Sequence, residues 1–132
     1  MDGHSTSVLS AETDALVTRI IGCALVVHRE LGPGFMESIY STALGFELDA
    51  EGIPFERERQ IAVSYRGRQI GGQRVDFIVG NTVILEIKAV SRLDPIFQAK
   101  LISYLRTTGL RVGLLLNFNT PLLKEGIRRF VV

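Results

Sequence analysis

The chain has 132 residues, 46% of them hydrophobic and 22% charged, with a formal net charge of +1 and a single cysteine. That length suits one domain spanning residues 1–132, and that balance excludes both an intrinsically disordered chain and a uniformly basic nucleic-acid-coating protein. Cys23 has no partner for an internal disulfide, no apolar run approaches the roughly 20 residues of a bilayer span, and "MDGHSTSVLS" lacks a secretory signal's basic start and apolar stretch. A cytoplasmic chain with no membrane partner is therefore expected.

Residues 1–12 are expected to form a flexible N-terminal segment. From Glu12 to Leu31, Leu16, Ile20, Ala24, Val27 and Leu31 recur every three or four residues, with Val17, Ile21 and Leu25 widening the stripe, as in a helix laid on a core. Ser10 or Thr13 is placed to cap it, Cys23 reads as a small core residue and His28 as structural. "LGPG" then breaks the chain. A second helix is expected from Phe35 or Met36 to Glu51, stopped by Gly52, and it places Glu37, Tyr40 and Leu44 on one face. Tyr40 reads as a core aromatic with a satisfied hydroxyl.

"RQIAVSY" alternates as a strand, "RGR" turns it, and a second strand runs through Ile70 into Val75–Val79. Val83 to Val90 forms the next arm. After "SRLDP", Asp94 can cap and Pro95 can open a helix "IFQAKLISYLRTTG" that Gly109 stops. "RVGLLLNF" is apolar enough for a strand covered on both faces, and "GIRRFVV" can add a last one. The order predicts an α/β fold with a mixed sheet flanked by helices.

The hairpin "VDFIVGNTVILEIKAV" carries Asp76, Glu86 and Lys88 among branched apolar residues. Strand alternation puts Glu86 and Lys88 on one face and Val83, Leu85 and Ile87 on the other, which is expected to be the dry one. A three-residue loop, Gly80 to Thr82, pairs Asp76 with Glu86 and stacks Val75, Phe77 and Val79 on Val83, Leu85 and Ile87; a two-residue loop would separate the acids. Two adjacent carboxylates repel. Lys88 offers one compensating charge and a divalent cation with oxygen preference, such as Mg²⁺, offers two. The competing expectation is a solvated sheet edge bearing an ordinary salt bridge.

Asp, a spacer, then Glu-x-Lys on adjacent strands, preceded by a helix carrying Glu, resembles the PD-(D/E)XK nuclease superfamily. Gly34, Glu37 and Tyr40 of "LGPGFMESIY" resemble the signature of its GxxExxY family, and the likeness continues through "QAKLISYLRTTGLRVGLLLNFN" and "LLKEGIRRFVV". Val75 stands where the superfamily often has Pro. The resemblance implies a restriction-endonuclease-like αβββαβ core with an extra N-terminal helix. It implies Glu37, Asp76 and Glu86, with the Ile87 carbonyl, as ligands to Mg²⁺ or a substituting Mn²⁺, Lys88 as the residue that positions the attacking water, and Gln98 and Tyr104 as auxiliary catalytic residues. The implied activity is a metal-dependent nuclease hydrolysing phosphodiester bonds of DNA or RNA, without strong sequence specificity unless a homodimer or partner supplies it. The alternative is a non-catalytic module that binds nucleic acid or protein and retains a vestigial metal site.

Overall fold

A computed structural model describes residues 9–132. Helix α1 (Ala11–Leu31) begins where the Ser10 hydroxyl accepts the amide of Thr13 and ends at Gly32, whose φ of 68° lies in the left-handed region. Most of the expected flexible segment, residues 1–12, lies outside the described residues. Helix α2 (Glu37–Ala50) follows the "GPGF" break. Strands β1 (Phe55–Tyr65) and β2 (Arg68–Val79) form a long hairpin, and β3 (Val83–Lys88) returns beside β2. Helix α3 (Pro95–Thr108) starts where Asp94 accepts the Ile96 amide and stops at Gly109, whose φ is 76°. Strand β4 (Val112–Asn117), a short 3-10 turn (Leu123–Gly126) and β5 (Ile127–Val131) complete the chain.

The five strands lie in the order β1-β2-β3-β4-β5. Only β3 and β4 run parallel, because α3 carries the chain across the sheet between them; the other neighbours are antiparallel. The result is a mixed α/β sheet consistent with the restriction-endonuclease-like fold.

Two cores form, one on each face of the sheet. Val17, Ile20, Ala24, Leu44 and Leu48 from α1 and α2 pack on Phe77, Val79, Val83, Leu85 and Ile87. On the other face Leu101, Tyr104 and Leu105 of α3 pack on Ile61, Val75, Ile78, Ile84 and Leu115. Each large aliphatic so buried stabilises the fold by roughly 1.5–3 kcal/mol relative to exposure. Strand β3, shared by both cores, is therefore dry on both faces rather than on one. The α1 stripe also turns slightly from its expected line, leaving Leu25 exposed.

The β2–β3 register pairs Phe77 with Leu85, Ile78 with Ile84 and Val79 with Val83, the arrangement a three-residue loop requires. Val75, expected to stack with Phe77 and Val79, instead enters the α3-side core. Side-chain alternation thus slips by one residue at Asp76. Across the hairpin the β1–β2 pairing skips Glu58, whose φ is +52°, unusual for a residue with a side chain. The two irregularities are opposite each other and together switch both strands from one core to the other.

Candidate active site

Where alternation slips, backbone pairing between β2 and β3 ends at Phe77–Leu85, while β3 continues alongside β4 as far as Lys88. The strands separate, and carboxylates fill the gap. The Asp76 amide donates to Glu86 Oε2 at 2.9 Å, and the Ile87 amide donates to Asp76 Oδ2 at 2.8 Å. Each acid is thereby anchored on the opposite strand.

Glu86 is 6% exposed, so the expectation of a solvated edge does not hold. Burial, followed by the Asp76 charge, pushes its carboxyl up to about 7, with Glu37 adding to the rise and the Asp76 amide and Lys88 opposing it. The charge of Lys88 therefore reaches Glu86, yet among the described residues it makes no ion pair within 4.0 Å with either acid. Its Nζ lies 4.5 Å from the centroid of the Phe97 ring, an arrangement favourable to the cation. Asn117, opposite Lys88 on β4, is also buried. Its side-chain amide accepts from the Val90 N–H and donates to the Val90 carbonyl, both at 3.0 Å, and so fixes the chain just beyond Lys88.

Glu37 opens α2 and is exposed. It lines a groove of about 220 Å³ together with Ser38, Ser41, Arg57, Glu58, Arg74 and Asp76. The loop before it is held from within: the Tyr40 hydroxyl donates to the Gly32 carbonyl at 2.6 Å and accepts the Phe35 amide at 3.1 Å. The Tyr40 ring is fully buried and stacks on Phe118, with centroids 4.6 Å apart. Gly34, with φ of 107°, takes the backbone conformation this loop needs. Gly34 and Tyr40 thus hold the loop that leads into Glu37.

The two α3 residues part company. Tyr104 is buried in the α3-side core, and burial, followed by the Glu86 and Asp76 charges, raises its hydroxyl pKa. Gln98 is exposed and lines a separate groove with Pro95, Ala99, Ile102 and Arg106. Phe97, one position earlier, is the residue that meets Lys88. Neither Phe97 nor Asn117 stood out in the sequence, since an aromatic on a helix and an Asn ending an apolar strand are ordinary there. His28 is structural, its Nε2 lying 2.8 Å from the Thr120 carbonyl oxygen. Cys23 is buried.

A larger groove, about 560 Å³ between the end of α1 and Pro121–Lys124, holds none of these acids. Chemistry is better matched to the smaller one, because hydrolysis requires charged groups more than volume. Among the described residues no three acidic, histidine or cysteine side chains are drawn into one ligand shell. What is assembled is a pair, Asp76 and Glu86, with Glu37 across the groove and near enough for its charge to reach Glu86. This mutually repelling pair, Glu86 buried and Asp76 half-buried at the groove, has the donor chemistry of a hard divalent cation.

A helix pair, three antiparallel strands, a crossing helix and a parallel strand, with an acid pair and a lysine where β2 and β3 separate, define an α/β protein of the restriction-endonuclease-like class. The chain belongs to the PD-(D/E)XK nuclease superfamily, whose family model matches residues 14–130. Membership brings a nuclease-type function, a nucleic-acid substrate and, for the superfamily in general, use of divalent metals. Comparisons with curated proteins and with solved structures gave no significant match. Among the described residues no helix is long and apolar enough to cross a membrane.

Proposed function

We propose that the chain is a divalent-metal-dependent phosphodiesterase acting on DNA, of the GxxExxY group within its superfamily, and that it works in the cytoplasm. The observation that carries this is the Asp76–Glu86 pair, Glu86 buried and Asp76 half-buried, held on opposing amides and, among the described residues, without a neutralising ion pair. Asp76 and Glu86, joined by Glu37 and the Ile87 carbonyl, would hold Mg²⁺, with Mn²⁺ as a substitute. Bound there, the cation supplies charge to the phosphoryl oxygens and a more acidic water.

The chain's own residues do the remainder. Lys88, steadied over Phe97 and by the Asn117 clamp behind it, orients the attacking water and offsets charge growing on the phosphoryl group. Tyr104 closes the α3 side of the acids, and Arg57 and Arg74 border the groove where a neighbouring phosphate would lie. A specific observation favours a second reading, a binding module with a vestigial site: Glu37 is not gathered with the pair.

Incubating the purified chain with plasmid, single-stranded DNA and RNA, in Mg²⁺, Mn²⁺ or EDTA, separates the two. Cleavage should need the cation and should fall roughly 10²–10³-fold in Glu86→Ala and Lys88→Ala. Folded variants that cut as well as the parent would assign the activity to a contaminant. Calorimetry adds a test without turnover, since Asp76→Asn should weaken cation binding.

A further inference from the structure

Among the described residues nothing packs over the distal half of the β1–β2 hairpin. Every residue from Ser64 to Gly72 is exposed, on both faces of the ribbon, including Tyr65 at 59% and Ile70 at 64%. Such apolar exposure on an ordered two-stranded element marks a contact surface. Tyr65 faces Arg68 across a turn made by Arg66 and Gly67, both with positive φ, and Ile70 lies two residues beyond Arg68. Tyr65 and Arg68 therefore share one face, with Arg66 at the tip, and Ile70 is the unpaired residue of a bulge opposite Val63 and Ser64.

Charge decides what this face meets. Residues 60–72 contain Arg66 and Arg68 and no Asp or Glu, while Arg74, nearer the acids, is paired with Glu58 at 3.3 Å. The whole chain carries a formal +1, so with the two ribbon cations set aside the remainder is −1. Two copies joined ribbon to ribbon would repel, whereas a polyanion is complementary.

We propose that this ribbon is a duplex-DNA arm that enters the major groove of the bound duplex at a distance from the cleavage site. From Gly72 to the tip it extends about four residues, roughly 13 Å at the rise of a strand, enough for a groove about 8.5 Å deep that admits a two-stranded ribbon. Arg66 and Arg68 meet phosphates or guanine edges, and Tyr65 and Ile70 supply apolar contact of the kind that suits thymine methyls. Gly67 is nine residues from Asp76 along β2, roughly 30 Å. That separation corresponds to about nine base pairs at ~3.4 Å each. The inference rests on nucleic acid being the substrate and extends the proposed function by naming the double helix and the element that grips it.

The test is binding without turnover, by fluorescence anisotropy of the full-length Glu86→Ala chain on a duplex of about 30 base pairs over a series of salt concentrations. Adding Arg66→Ala and Arg68→Ala together should weaken binding at least tenfold and reduce the slope of log K against log salt by about 1.8, close to 0.9 for each phosphate released. Tyr65→Ser with Ile70→Ser should weaken it while leaving that slope in place. Affinity and slope unchanged in the Arg pair would overturn the proposal, as would equal losses on single-stranded DNA or ribbon changes that abolish only self-association in sedimentation. A wild-type chain that binds duplex through the ribbon but never cuts it would sink the proposed function and leave this inference standing.

Discussion

Glu86 is the residue on which structure and chemistry conflict most openly. Its carboxyl, ordinarily near 4.5, is raised to about 7 by burial and then by Asp76. Between those values the native state binds more protons than the unfolded chain, so this group's contribution to stability is present in full below about 4.5 and is lost as pH rises toward 7. At about 1.4 kcal/mol per unit the whole loss is about 3 kcal/mol. Glu86→Gln keeps an oxygen to accept the Asp76 amide and removes the charge. In EDTA, urea titration should find the Gln variant about as stable as the parent at pH 5 and about 2–3 kcal/mol more stable at pH 8. Equal stabilities at both pH values would mean that the Glu86 charge is solvated after all. Tyr40 conflicts with nothing, and its role is a hinge pin. Tyr40→Phe leaves the Gly32 carbonyl and the Phe35 amide without their partner, at a cost of about 1–3 kcal/mol. Amide exchange at Phe35 should quicken, and cleavage should fall with Glu37 less firmly placed, while cation binding by Asp76 and Glu86 is retained.

At the scale of elements, what was legible in the sequence is what local chemistry determines. Asp94, Pro95 and Gly109 delimit α3 because caps act within one turn. The β2–β3 register followed from parity, since only one loop length stacks Phe77 and Val79 on Val83 and Leu85. The slip at Asp76 was hidden because a positive φ at Glu58 has no residue-type signature, and Val75 was misplaced with it. Coverage of the Glu86 face was hidden for another reason: nothing local says on which side of the sheet a crossing helix will lie. Helical phase was the last gap. A rotation of one residue, about 100°, decides whether Phe97 or Gln98 meets Lys88, and it is set by Leu101 seating against Gly113, a contact a larger residue there would push apart. Phe97→Leu should therefore lower kcat roughly tenfold, in line with a cation–ring contact worth about 0.5–2 kcal/mol. Gln98→Ala should stay within about twofold, and the two together measure the phase of α3 through the rate.

For the molecule as a whole, the acids lie between the two cores. Strand β3 contributes Leu85 and Ile87 to the core under α1 and α2, and Ile84 to the core under α3, with Glu86 between them. Repulsion at Asp76 and Glu86 therefore weakens the joint that couples both halves, and relieving it should stabilise the entire cooperative unit rather than one edge. A cation that binds only the native state at 100 times its Kd adds about 2.7 kcal/mol. For a chain of this size that shifts Tm by several degrees, at roughly 2–8 °C per kcal/mol. Mg²⁺ or Mn²⁺ at pH 7.5 should raise Tm by such an amount, with far-ultraviolet dichroism and aromatic fluorescence moving together, and the gain should vanish in Asp76→Asn. Below pH 7 the cation must displace a proton from Glu86, so apparent affinity should fall up to tenfold per unit, and titrations in buffers of different ionisation enthalpy should report the proton released. A Tm that ignores the cation, or rises equally in Asp76→Asn, would mean that the pair is a structural fixture of the β2–β3 gap and the metal, if any, lies elsewhere.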